Sequence, residues 1–453
     1  MTRPVYDAVT VVFTCGELGY ITVRRPEMPA FPGYWAFPGG KVDRTDPDTP
    51  LEERWLSEHE PKLMHALCRE IEEEINFDLP AAIRNGQVKD ICKLGVAITP
   101  KFEPFRFNTR FYRIELSEPV DFEVDPRETA HGEWAPWKEL DARYEDGQLL
   151  GVPPTIVVIK SLAADPGLRD LSALKFEFDA DKYLPCIEAL RGVRAIPVPS
   201  HTIPPATRTN CFLIGDEDAQ RFLVDPSPQD EENLEKLCRS VEPVGFDAVF
   251  LTHHHPDHRQ FADVIARRYE VPMHLSQDSY ERIHKRTGGK FFEGIETVIR
   301  SDGEVLTQWL GRDVMILAVP GHDEGQLALM PTDHAWCIVS DLIQGIGTVV
   351  IAAPEGNMRK YMGSLQKVID WDPKVIYPSH GMGMGTTFRI RNTLMHRQMR
   401  EGQIMDMHND GKTNEQILSV VYKGIDERLL PLAMCNIESH LEKLREEGRI
   451  KAA

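Results

Sequence analysis

One stretch constrains this chain more than any other. The run FDAVFLT (246–252) leads directly into His253, His254, His255, Pro256, Asp257 and His258. Apolar and β-branched residues that stop at a polar, proline-containing cluster predict a buried strand ending in a loop. Imidazole and carboxylate are the groups that hold zinc and similar ions, so four histidines and an aspartate in six residues predict a metal site at a strand end. The eight cysteines are scattered without a CxxC pair, which argues against a zinc finger or a disulfide framework and predicts free thiols. No run of apolar residues is long enough to span a membrane, and MTRPVYDAVTVVF lacks the order of a secretory signal. These features predict a cytoplasmic protein with no membrane partner. A net charge of −19 opposes binding to phosphate backbones unless a local basic site intervenes.

The His-x-His-x-Asp-His pattern after an apolar strand resembles the metal-binding signature of the metallo-β-lactamase superfamily. Further matches follow in that family's order: His322 in VPGH (319–322), Asp341 in CIVSD (337–341) and His380 in VIYPSHG (375–381). The resemblance implies that His253, His255 and His322 hold one ion and that Asp257, His258 and His380 hold a second. Asp341 is then the bridge. It implies two zinc ions, with manganese or iron as substitutes, and hydrolysis of an ester, thioester or phosphodiester by metal-bound hydroxide, with Asp257 taking part. Asp225 in LVDPSP matches the superfamily's early aspartate, expected behind the ligands, and His254 is expected to point elsewhere. Arg259, Gln260 and Phe261 stand where the family often carries glycines. Downstream, SDLIQGIGTVVI (340–351) and HRQMREGQI (396–404) resemble the β-lactamase-like protein 2 branch of endoribonucleases, in which a winged helix follows the metal domain.

A second constellation lies near the N-terminus. In Arg69-Glu70-Ile71-Glu72-Glu73-Glu74-Ile75-Asn76-Phe77, helical spacing groups Glu70, Glu73 and Glu74 on one face. Such a run is ordinarily a solvated surface. Here it follows the loop GYWAFPGGKVD (33–43), and the pair resembles the Nudix hydrolase signature, with Gly40 as its opening glycine. The resemblance implies magnesium or manganese held by Glu70, Glu73 and Glu74, with Arg69, Glu73 and Glu74 serving cleavage of a nucleotide-type diphosphate, such as a coenzyme A-like compound. Arg69 comes 29 residues after Gly40, which marks a long insertion, and Pro61 stands where the family has a glutamate upstream of the arginine. Asn76 replaces the final glycine.

The expected architecture is α/β and α+β multidomain: a Nudix α/β/α fold over 1–188, an αββα metallo-β-lactamase sandwich over 189–394 and a winged-helix domain over 395–453. Strands are predicted at 7–14, 20–24, 93–99, 109–115, 211–215, 221–225 and 246–252. Helices are predicted at 62–76, 153–163, 229–240 and 258–269. Four prolines between Arg191 and Thr207 suggest a seam there. The last helix and the start of a wing are expected over 437–450. Residues 396–453 carry nine basic and ten acidic side chains, so the tail is no basic patch. The expected substrate is a small-molecule nucleotide or an acyl thioester. The alternative is cleavage of single-stranded RNA, with the Nudix unit as a recognition or regulatory module.

Overall fold

The computed structural model describes residues 4–100, 106–174 and 179–450. The chain divides into two compact units, one of residues 1–178 with 189–191 and one of residues 179–188 with 192–453.

The N-terminal unit is built on a mixed sheet. Val5–Cys15 pairs antiparallel with Leu18–Arg24 and with Gly39–Lys41, and parallel with Arg106–Leu116, which pairs antiparallel with Val88–Ile98. Alternation along the first strand decides what covers the sheet. Val9, Val11 and Phe13 pack under the helix Pro61–Ile75, through Leu63, Leu67 and Ile71. Val12 faces the other way, onto the helices Trp137–Glu145 and Pro153–Ala164. Pro61 sits in the first turn of its helix, where a missing N–H costs nothing. The helix stops at Asn76, whose φ of 51° is left-handed, a conformation that asparagine tolerates at a helix end.

The C-terminal unit holds two sheets with helices outside each. In the first, the strands Val193–Pro199, Arg208–Ile214, Phe222–Val224, Ala248–Phe250, Met273–Leu275 and Thr297–Ile299 lie side by side, the last four parallel. Its outer face packs on Leu234, Leu237, Ile265 and Ile283 of three helices. The second sheet contains Val305–Trp309, Arg312–Ala318, Leu327–Pro331, Cys337–Ser340 and Val375–Pro378 in spatial order, with Met384–Gly385 beside the last. The helices Met358–Trp371 and Phe388–Asn409 cover it through Tyr361, Leu365, Ile390 and Leu394. Aromatic contacts such as Phe212 on Tyr377 join the inner faces.

The chain passes from one unit to the other at Arg191–Gly192, at the start of the proline-rich stretch, whose prolines lie in a hairpin: Val193–Pro199 pairs with Arg208–Ile214. Pro197 and Pro199 are two residues apart, so their missing donors fall on one side of the strand. The helix predicted over 258–269 is two helices, Pro256–Arg259 and Ala262–Tyr269, broken at Phe261 with a φ of 61°. At the C-terminus, the helices Asn414–Val421 and Leu430–Glu446 are present, but no strand of a wing begins by Ile450, and residues 451–453 lie outside the described residues. No helix among the described residues is long and apolar enough to cross a membrane.

Candidate metal centre

Every predicted ligand of the C-terminal unit follows the C-terminal end of a strand. His253 to His258 follow Ala248–Phe250, His322 follows Arg312–Ala318, Asp341 follows Cys337–Ser340 and His380 follows Val375–Pro378. Their ligand atoms converge. His255 Nδ1 lies 3.0 Å from His253 Nε2 and 3.1 Å from His322 Nε2. On the other side, Asp257 Oδ2 lies 3.7 Å from His380 Nε2 and 4.0 Å from His258 Nε2. Asp341 stands between: Oδ2 is 3.5 Å from His258 Nε2 and 3.6 Å from His322 Nε2, while Oδ1 is 3.4 Å from His380 Nε2. Zinc–nitrogen bonds of about 2.1 Å in tetrahedral geometry separate neighbouring ligand atoms by about 3.4 Å. The observed spacings match two such centres sharing Asp341.

The nitrogen that each ring turns away from the centre is engaged, which fixes the one left to ligate. His258 Nδ1 meets Asp225 Oδ2 at 2.8 Å, His322 Nδ1 meets the Val350 carbonyl at 2.9 Å, and His380 Nδ1 meets the Arg208 carbonyl at 2.8 Å. His253 Nδ1 lies 3.2 Å from Thr252 Oγ1 and 3.3 Å from Ser340 Oγ. His255 uses its other nitrogen: Nε2 contacts Glu355 Oε2 at 3.2 Å, so Nδ1 faces inward. The donor set fits a metal pair on one further observation. His258 Nε2 and Asp341 Oδ1 are buried without a hydrogen-bond partner, an arrangement costly unless a cation answers it.

The charges respond accordingly. Burial alone would depress His258, but Asp341, Asp225 and Asp257 outweigh it and raise its pKa well above the ordinary value. Burial, with His258 and His255 as neighbours, pushes His253 well down. Burial disfavours an ionised Asp341, yet His380 and His258 hold it well below the usual carboxylate range.

Asp225 sits behind the site as expected. It also accepts from the Thr252 N–H at 2.8 Å and from Thr252 Oγ1 at 2.6 Å, clamping the strand end that presents the histidines. His254 points away from the centre, with Nδ1 2.7 Å from Asp323 Oδ2 and Nε2 3.4 Å from Glu355 Oε1. Neither Asp323 nor Glu355 stands out in the sequence, although Asp323 directly follows His322. Glu355 also meets Arg286 and lies 3.8 Å from Arg282, so arginines supply the cations on that side. The side chains in place of glycines tie the loop down: Arg259 Nε donates to the His254 carbonyl at 2.8 Å, and Gln260 Oε1 lies 2.9 Å from His201 Nδ1.

In the N-terminal unit the glutamates diverge in environment. Glu74 Oε2 accepts from the Gly39 N–H at 2.8 Å, and burial pushes its pKa up to about 8. Glu70 lies against Gly40, where an added Cβ would come within 2.2 Å of Glu70 Oε2 and make that carboxylate shift. Glu73 is exposed and reaches back to Arg69 at 3.3 Å. Arg69 is a hub, donating to Asp46 Oδ1 at 2.8 Å, Asp46 Oδ2 at 3.1 Å, Glu70 Oε1 at 2.8 Å and the Lys41 carbonyl at 3.0 Å. Asp46, six residues after Gly40, is buried and takes two of the arginine's hydrogen bonds. Arg69→Ala leaves the buried Asp46 without its guanidinium, keeping only the Asp43 N–H at 2.7 Å, and is expected to destabilise this unit by about 2 kcal/mol, read in urea unfolding followed by tryptophan fluorescence.

Comparison with known proteins agrees with this geometry. Residues 204–380 match the Metallo-beta-lactamase superfamily, and residues 413–453 match the Beta-lactamase associated winged helix domain. Residues 204–380 are thus similar to a metallo-β-lactamase domain, and residues 413–453 to the winged helix associated with such domains. It is similar to the beta-lactamase-like protein 2 homolog of Drosophila melanogaster, 27% identical over 54% of this chain and 85% of that one. A hydroxyacylglutathione hydrolase of Bdellovibrio bacteriovorus is 24% identical over 38% of this chain and 63% of its own. Among solved structures, a beta-lactamase domain protein from Burkholderia ambifaria shares the fold, with a TM-score of 0.50 and 20% identity over 60% of this chain and 91% of that one.

Proposed function

We propose that the C-terminal unit is a dinuclear zinc hydrolase that cleaves an ester or thioester, and that the N-terminal unit is a Nudix hydrolase for a nucleotide-type diphosphate. The observation that carries the first reading is Asp341, buried, with one oxygen toward His322 and His258 and the other toward His380. Two bound ions would polarise a carbonyl or phosphoryl oxygen and lower the pKa of water. The chain's own part is to place them. His253, His255 and His322 define one centre, Asp257, His258 and His380 the other, and the hydrogen bonds behind each ring hold it in register. Asp257 is the more open of the two ligand carboxylates, which suits it to take a proton from water at the solvent side. A thioester substrate fits the similarity to a hydroxyacylglutathione hydrolase, and the acidic chain disfavours a polyanion.

The second reading is supported by Glu70 and Glu74 facing the Gly39–Gly40 strand, and by Asp46 completing the arginine's bonds despite the insertion. Magnesium or manganese bound there would neutralise diphosphate charge.

The test is the full chain purified without chelator, its metals counted by mass spectrometry, then given acyl thioesters, coenzyme A, nucleoside diphosphate derivatives and single-stranded RNA. About two transition-metal ions with thioester turnover are expected. Cleavage of RNA alone would replace the thioester reading. Diphosphate cleavage that survives Glu74→Gln would remove the Nudix reading.

A further inference from the structure

The loop that follows Asp341 connects the metal centre to the winged helix. Its main chain is gripped at three successive residues. The Val349 carbonyl accepts from Arg397 Nη2 at 2.5 Å, and the Val350 carbonyl takes His322 Nδ1 at 2.9 Å. The Ile351 N–H donates to Asn436 Oδ1 at 3.0 Å, while its carbonyl accepts from Ser439 Oγ at 2.6 Å. Four residues on, Glu355 engages His255, and the Asn357 N–H returns to the Gly321 carbonyl beside His322 at 2.8 Å.

Asn436 and Ser439 lie three apart on the helix Leu430–Glu446, hence on one face. The same side of the helix buries Ala433, Ile437, Leu441 and Leu444, together with His440 and Lys443, which are paired with Glu401. A buried amide and hydroxyl are costly in such a place unless matched. What they match is the N–H and carbonyl of one loop residue that no strand or helix satisfies. Arg397, Asn436 and Ser439 are all buried. The other half of the centre leans elsewhere: His380 on the Arg208 carbonyl and His258 on Asp225, both from the first sheet.

We infer that the C-terminal winged helix is a brace for one half of the metal centre: Arg397, Asn436 and Ser439 fix the Val349–Ile351 main chain, which positions His322 and, through Glu355, His255. This rests on the dinuclear reading above. Asn436, Ser439 and Arg397 are positioning residues that act through the Val349–Ile351 main chain.

The test uses full-length protein stripped of metal and titrated with zinc against a chromogenic chelator, in excess magnesium to fill oxygen-donor sites. His322→Ala and His380→Ala identify the two ions. In Asn436→Ala/Ser439→Ala, the ion lost in His322→Ala is expected to bind roughly 10–100-fold more weakly, with the other unchanged. Glu355→Ala should weaken the same ion. In the metal-free protein, amide hydrogen exchange over 349–357 should quicken, and Asn436→Asp, which keeps the acceptor for the Ile351 N–H, should restore it. Ser439→Ala alone deletes one hydroxyl and should give the same one-sided weakening at smaller size if the double variant does not fold. Wild-type affinity for both ions in the variants, or equal weakening of both, overturns the brace. Failure of the wild-type chain to bind two zinc ions instead overturns the dinuclear reading.

Discussion

Asp341→Asn is expected to lower kcat/KM of the C-terminal unit by at least about a thousandfold, equivalent to about 4 kcal/mol of lost transition-state stabilisation. The reason is geometric. One carboxylate oxygen faces both His322 and His258 and the other faces His380, within 3.4–3.6 Å of the three nitrogens. Asparagine offers one oxygen and one NH2 group, and the NH2 cannot ligate a cation. The substitution is isosteric, so packing around this buried site barely changes. What changes is charge: His258 and His380 lose the anion that raises both. Metal content should fall from about two ions to one or none, with the fold retained by circular dichroism. An Asp341→Asn protein that kept two ions and its rate would show that the two centres do not share this residue.

The same geometry sets a pH limit. Neutral imidazole is the ligand form, so acid must displace the ions as the histidines protonate. Above that range the ions should stay bound. Zinc release followed against pH is expected to track loss of turnover, and Asp341→Asn should move the release toward higher pH because its anion no longer helps to hold the cations.

The site was more legible in the sequence than its supports. His253, His255, Asp257 and His258 fall within six residues, so local spacing alone exposed them. His322, Asp341 and His380 are single residues at separate strand ends. Only their order along the chain, matched to a known family, linked them, and the sheets then brought the strand ends together. Glu355 had no such mark. It sits on an irregular loop with no periodicity, and its role exists only because the fold lays that loop beside His255. Asp46 escaped for a different reason. It lies 23 residues before Arg69, in the loop after the strand Gly39–Lys41, and only the fold brings its carboxylate to the guanidinium. Phe261 broke a helix that the apolar pattern ran through, since a hydrophobic period does not record a left-handed residue.

Glu401→Ala is expected to cost the C-terminal unit about 3–5 kcal/mol, the usual penalty for removing one partner from a buried ionic cluster. Glu401 is buried on the helix Phe388–Asn409, where one carboxylate serves three partners. Oε1 accepts from Lys443 Nζ at 2.8 Å and Arg449 Nη1 at 2.7 Å, and Oε2 lies 3.2 Å from His440 Nδ1. Burial resists its ionisation, but the hydrogen bonds from His440 and Lys443 prevail and hold its pKa at about 2. Alanine leaves the largely buried Lys443 with only Glu447, at 3.0 Å, on the rim. The melting transition of this unit should fall by roughly 10 °C at neutral pH. The sign of the pH effect follows from the depressed pKa: the stabilisation is fully present above the ordinary carboxylate range and is lost as pH falls through about 2. The gap between wild type and variant, measured by calorimetry, should therefore be widest near neutrality and close in acid. The helix that Glu401 anchors also carries Asn436 and Ser439, so the variant should expose the Ile351 amide to exchange more readily than any surface substitution of equal charge. A gap below about 1 kcal/mol, the ceiling for an exposed ion pair, would mean that the Glu401 cluster does not hold the helix Leu430–Glu446.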